Sequence, residues 1–132
     1  MKSYTDIEQS MKLSEILSIE SADMYYHYDN DLAELESIPT IREEDDHFML
    51  FPIDVMCWSL SALLEIIPSH LGEFKDGIDF GLSKSINGKW YSAHYLKTSE
   101  DGDISYVRTT TGDTAIDAVY EMIIWLKENK HI

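Results

Sequence analysis

The residues of this chain that could do chemistry are five histidines, one cysteine and a dense run of carboxylates. His27 and His94 both fall among tyrosines, in Met24-Tyr-Tyr-His-Tyr28 and in the segment Trp90 to Leu96. An imidazole changes charge near neutral pH, so two of them meeting across a sheet beside an acid would make an acid–base or ligand site. Tyr26 and Tyr95 would line that pocket. A histidine in a tyrosine-rich strand is otherwise a hydrogen-bonded, half-buried residue. His47, His70 and His131 have no companions that suggest more than surface. Cys57, next to Trp58 and just ahead of a helix start, is placed where a helix dipole lowers a thiol pKa. A small buried hydrophobe is its plainer role. A single cysteine excludes an intramolecular disulfide framework and a multi-thiolate metal cluster.

The carboxylates are concentrated. Residues 29–46 hold Asp29, Asp31, Glu34, Glu36, Glu43, Glu44, Asp45 and Asp46 against Arg42 alone, a net of −7 out of −15 for the whole chain. Asp29-Asn30-Asp31 resembles the opening of a calcium loop, but Ala33 stands where the third ligand belongs and no glycine follows. No metal site is expected. Acids spaced about two residues apart can instead imitate a phosphate backbone and occupy the basic groove of a protein partner. The plain alternative is a solvated loop.

Other chemistries lack their motifs. The six glycines are scattered and none precedes a Lys-Ser/Thr pair at a helix start, so there is no phosphate-binding loop. Gly81-Leu-Ser-Lys-Ser85 lacks the second glycine of a nucleophile elbow, and His-Glu-x-x-His is absent. The net charge opposes direct nucleic-acid binding, because the long-range field repels a polyanion. No cofactor is expected. The 132 residues, 44% of them hydrophobic, are too apolar for disorder and fit one domain. Met-Lys-Ser-Tyr-Thr-Asp-Ile-Glu opens without the apolar stretch of a secretory signal, and no run approaches the roughly 20 apolar residues of a membrane span. Cytoplasm is the expected compartment.

The elements that must position these residues follow from periodicity. Thr5 with Glu8 reads as a capping box opening a helix to Leu17, with Ile7, Met11, Leu13, Ile16 and Leu17 as its stripe. Met24 to Tyr28 reads as a strand, and His47 to Phe51 as its partner. The acidic segment between them is then a long loop, with a helical turn around Asp31 to Glu36. Ser59 caps a second helix, with Trp58 and Leu63 as a staple, Leu60, Leu63, Leu64 and Ile67 as buried face, and Pro68 as stop. Ile78, Phe80 and Leu82 alternate before Asn87-Gly88, and Trp90 to Leu96 returns: a hairpin whose two turn residues tolerate positive φ. Glu100 to Asp103 is a polar turn before a further strand, Ile104 to Val107.

A last helix starts from Asp113 as N-cap, with Ala115, Val119, Met122 and Leu126 on one face and Ile116 and Ile123 widening it. Met122 to Leu126 is apolar nearly all round, which requires deep burial or a subunit contact such as a homodimer. The order α-β-β-α-β-β-β-α, with short connections, predicts an α+β fold: an antiparallel sheet of four to five strands with helices on one face.

Three strings, Glu20-Ser-Ala-Asp-Met-Tyr-Tyr26, Trp58-Ser-Leu-Ser-Ala-Leu-Leu64 with Pro68, and Asp117-Ala-Val-Tyr-Glu-Met-Ile-Ile-Trp-Leu-Lys127, extend over most of the chain. Together they resemble a group of small proteins without assigned function, encoded by gut Bacteroides-type bacteria and their phages or mobile elements. Where members of that group have Pro-Ala ahead of the tryptophan, this chain has Met56-Cys57. The resemblance implies a bacterial or phage origin and assigns no activity. The residues favour a small acidic, non-enzymatic binding protein that contacts a basic protein partner through 29–46. The alternative is a small-molecule or metal site, possibly enzymatic, on the open sheet face.

Overall fold

The structure, a computed structural model, describes residues 2–43, 54–72 and 77–132. It is α+β with antiparallel strands, as the patterning predicts, but the strands are shared among sheets of three, two and four rather than one. Two compact units make up the chain: Tyr4–Ala62, and Leu63–Ile132 together with Lys2 and Ser3.

The first unit opens with α1 (Ile7–Ile16). Its cap is Asp6 rather than Thr5: the Asp6 carboxylate accepts the Gln9 N–H at 2.8 Å, and the Gln9 side chain accepts the Asp6 N–H at 3.1 Å. Thr5 is unavailable because it is wholly buried and serves the core instead. Its carbonyl accepts the Tyr26 hydroxyl at 2.8 Å, and its Oγ1 accepts the Trp58 N–H at 3.1 Å and lies 2.8 Å from Ser10 Oγ. Leu13, Tyr26, Cys57 and Trp58 complete this core, whereas Met11, expected on the apolar stripe, is 54% exposed.

A 3₁₀ turn (Ile19–Ser21) leads to β1 (Met24–Tyr26), the centre of the three-stranded sheet. Its neighbours are β4 (Thr40–Ile41) and β5 (Val55–Cys57), with Met24 opposite both Ile41 and Cys57. The strand expected over His47 to Phe51 lies outside the described residues. Between β1 and β4, β2 (Tyr28–Asp29) and β3 (Glu34–Leu35) pair as a hairpin.

Helix α2 (Leu60–Ile66) follows, with the expected cap: Ser59 Oγ accepts the Ala62 N–H at 3.2 Å. The Asp23 carboxylate in turn accepts both the Ser59 N–H, at 2.9 Å, and the Ser59 hydroxyl. Leu63 and Ile67 are buried as expected, and Leu64 is turned outward.

The second unit is a four-stranded sheet in the order β6 (His70–Leu71), β7 (Ile78–Lys84), β8 (Tyr91–Thr98), β9 (Ile104–Gly112), with α3 (Ala115–Glu128) packed on one face. The β7–β8 hairpin forms where the alternation predicts it. Only Gly88 of its turn takes positive φ, at 71°, so the connection is longer than a two-residue turn and is closed by Ser85 N–H to Trp90 O at 2.9 Å. Ile116, Ala118, Val119, Met122, Ile123 and Leu126 of α3 have no exposed surface. Deep burial thus takes up most of the apolar girth of this helix, with Ile124 and Trp125 half-buried.

Thr114 caps α3 in place of Asp113, its Oγ1 accepting the Asp117 N–H at 3.2 Å. At Gly112 the helix start comes so close that a Cβ would lie 2.7 Å from the Ala118 nitrogen. Thr110 fastens the same contact, donating its hydroxyl to the Ala118 carbonyl at 2.7 Å.

Candidate functional site

Residues 28–35, which open the acidic segment, form a hairpin and not the loop with a helical turn that the composition suggests. The Asp29 carboxylate accepts the N–H groups of Asp31 at 2.9 Å and Leu32 at 3.2 Å, which turns the chain, and Ala33 completes the reversal at φ 53°. This local bonding competes with a helical start and wins. Glu36 N–H to His27 O, at 2.8 Å, and Tyr28 N–H to Asp54 Oδ1, at 2.9 Å, tie the hairpin to its root.

The result is a concavity of about 480 Å³ lined by Asp29, Glu34 and Glu36 together with Leu32, Leu35 and Ile38. Leu32 is 67% exposed, Ile38 69% and Ile41 70%, so three large aliphatic side chains stand in water beside the acids. Arg42 is the one base of the segment, which keeps a net charge of −7. Its guanidinium donates to the carbonyls of Ile19, at 2.6 Å, and Ala22, at 3.2 Å. Asp31 and Glu43 are exposed. Glu44, Asp45 and Asp46 lie outside the described residues.

The expected histidine pocket is distributed differently. His27 falls between β1 and β2 in the first unit, its Nδ1 3.3 Å from Asp54 Oδ1, with the Asp54 side chain only 1% exposed. His94 is on β8 in the second unit. Tyr26 and Tyr95 are core residues, their hydroxyls donating to the carbonyls of Thr5 and Pro68 at 2.8 and 2.7 Å. Burial pushes both phenols well above the ordinary tyrosine range. Burial likewise pushes the Cys57 thiol up, against smaller opposing effects of the Thr5, Ser10 and Tyr26 side chains. Cys57 is thus the buried small residue and not an activated nucleophile.

The face of the second sheet turned away from α3 has its own polar set. The register places His70 opposite Asp79 and Gly81 opposite His94, so all four share a face. The His94 ring meets Tyr106 edge-on, with centroids 5.8 Å apart. His70 and Asp79 escaped the sequence reading, although the alternation of Asp79, Gly81 and Ser83 against Ile78, Phe80 and Leu82 carries the signal. Among the described residues, no three His, Cys, Asp or Glu side chains are grouped to hold a metal ion. No described helix is long and apolar enough to cross a membrane. Compared with known protein families, with curated proteins and with solved structures, the chain matches none.

Proposed function

We propose that this chain is a small non-enzymatic binding protein of the cytoplasm that contacts a basic protein partner through its acidic hairpin. The observation that carries this reading is the concavity at 29–38, where Asp29, Glu34 and Glu36 stand beside exposed Leu32 and Ile38. Acids steer a basic partner in, and aliphatic side chains supply area once it arrives. An amphipathic segment with lysines or arginines flanking apolar residues matches both properties.

The test uses a labelled lysine/leucine amphipathic peptide, followed by fluorescence anisotropy, and capture from host lysate. Binding should weaken steeply with salt. It should also fall at least about tenfold in two variants, Glu34→Gln/Glu36→Gln and the neutralised set at Glu43, Glu44, Asp45 and Asp46. Asp29 is left intact because its carboxylate builds the turn. Variants that bind as well as wild type would sink the reading.

The alternative, a small-molecule site on the open sheet face, draws on the His70, Asp79, His94 and Tyr106 surface. A thermal-shift ligand screen of wild type against His94→Ala tests it; a hit that loses its shift in the variant supports it.

A further inference from the structure

The β7–β8 turn is where this acidic chain becomes basic. Residues 80–99 are its longest stretch without Asp or Glu, and they hold Lys84, Lys89 and Lys97. Among the described residues neither Lys84 nor Lys89 is paired with a carboxylate, unlike Lys2, which Asp117 holds at 2.7 Å. Lys84 lies across the turn, its Cε 3.4 Å from where a Cβ on Gly88 would be, so its ammonium sits at the tip that also bears Lys89. Beside them Ile86 is fully exposed and Trp90 is 43% exposed. The tip is braced from within. The Ser85 carbonyl accepts the Gly88 N–H at 2.9 Å, and Asn87 Oδ1 accepts the Ser85 hydroxyl at 2.7 Å and the Lys89 N–H at 3.0 Å. A shape built in advance loses less freedom when it binds.

Resting on the reading of the acidic hairpin as the seat of a basic partner, we infer that this partner is a second copy of the chain, whose β7–β8 turn enters the concavity at 29–38. Charge and shape both select it. The seat asks for lysines flanking an apolar residue, and Lys84-Ser-Ile-Asn-Gly-Lys89 is such a run. The two lysines face Glu34 and Glu36 in the pairing, and Ile86 meets Leu32 and Ile38, all of them exposed in the single chain. A concavity of about 480 Å³ has the size that takes a protruding group and not a flat face, and a turn with Ile86 at its point protrudes.

The net charge of −15 repels two copies at long range. At about 150 mM salt charges act over only about 8 Å, so the opposite local signs decide once the turn reaches the concavity. The contact is heterologous, and each copy has one turn to give and one concavity to fill.

Sedimentation equilibrium of the full chain at about 150 mM salt, up to about 1 mM protein, tests the inference. The expected result is a mass above the monomer that rises with concentration. Lys84→Glu/Lys89→Glu and Glu34→Lys/Glu36→Lys should each weaken the association at least about tenfold, while circular dichroism shows the fold retained. Mixed in equal amounts, the two variants should associate again, because each then finds its opposite charge in the other. The second variant separates local from overall charge, since it brings the chain nearer neutrality and should still associate less than wild type. A wild type that stays monomeric overturns the inference. So does a mixture no more associated than either variant alone, or an association that Glu34→Lys/Glu36→Lys leaves unchanged or strengthens. A monomeric wild type that binds the lysine/leucine peptide at 29–38 overturns the second copy and keeps the hairpin as the seat of a foreign basic partner. One that binds neither overturns both.

Discussion

The imidazole of His94 rests on the backbone of Gly81, so close that a Cβ at position 81 would lie 2.5 Å from Nε2. The glycine is there for space, since strand residues otherwise favour a side chain to pack. Gly81→Ala should lift the ring off the sheet and break its edge contact with Tyr106. In a double-mutant cycle with His94→Ala, the two substitutions should couple by about 1 kcal/mol, the second relieving the first. Additive effects in urea unfolding would show that the ring and the glycine do not interact.

Leu126 and Gly112 probe the seat of α3. Leu126 is wholly buried, and Leu126→Ala should cost about 2–5 kcal/mol as a core truncation. Gly112→Ala drives a methyl toward the Ala118 nitrogen, which is backbone and cannot swing aside. About 1–3 kcal/mol is expected for that overpacking. Chemical denaturation with unchanged slope checks both.

Asp54 holds the root of the acidic hairpin, its buried carboxylate accepting the Tyr28 N–H and facing His27. Asp54→Ala should cost about 1–3 kcal/mol, the penalty of an amide left without its acceptor. Asp54→Asn keeps an acceptor oxygen and should recover part of that loss. Equal losses for the two would assign the effect to His27 rather than to Tyr28.

Alkali should undo the tyrosines. The native state keeps the phenolic protons of Tyr26 and Tyr95 at pH values where the unfolded chain has released them. The stability they contribute is whole below about pH 10 and falls as pH climbs beyond it. Unfolding midpoints should drop as pH rises above about 10, and less steeply in Tyr95→Phe. For the same physical reason, iodoacetamide at pH 8 should leave native Cys57 unmodified and alkylate it at once in urea; fast native labelling would contradict its burial.

Much of the second unit was legible from sequence. The β7–β8 hairpin and α3 declare themselves through strict periods, because each has one face in the core and one in water. Boundaries were off by one where two capping residues stand side by side, as at Thr5-Asp6 and Thr114 after Asp113, since local chemistry accepts either and packing chooses. The acidic hairpin was illegible for a different reason. Two-residue strands carry no period, and the turn is made by the Asp29 side chain accepting the N–H groups of residues ahead of it, Asp31 and Leu32, which composition registers only as charge. The apolar half of the candidate surface was missed because Leu32, Ile38 and Ile41 are exposed where patterning expects aliphatics to be buried.

Thr5 and Trp58 exchange bonds across nearly the full length of the first unit, Thr5 N–H to Trp58 O at 2.9 Å and Trp58 N–H to Thr5 Oγ1 at 3.1 Å. A chain leaving the ribosome holds Thr5 long before it holds Trp58. Until then the Thr5 N–H lacks the Trp58 carbonyl that accepts it, and α1 lacks β5, the strand it packs against. The core around Thr5 is therefore complete only when residues 5 and 58 are both present. A cut between those two residues separates the partners of both bonds.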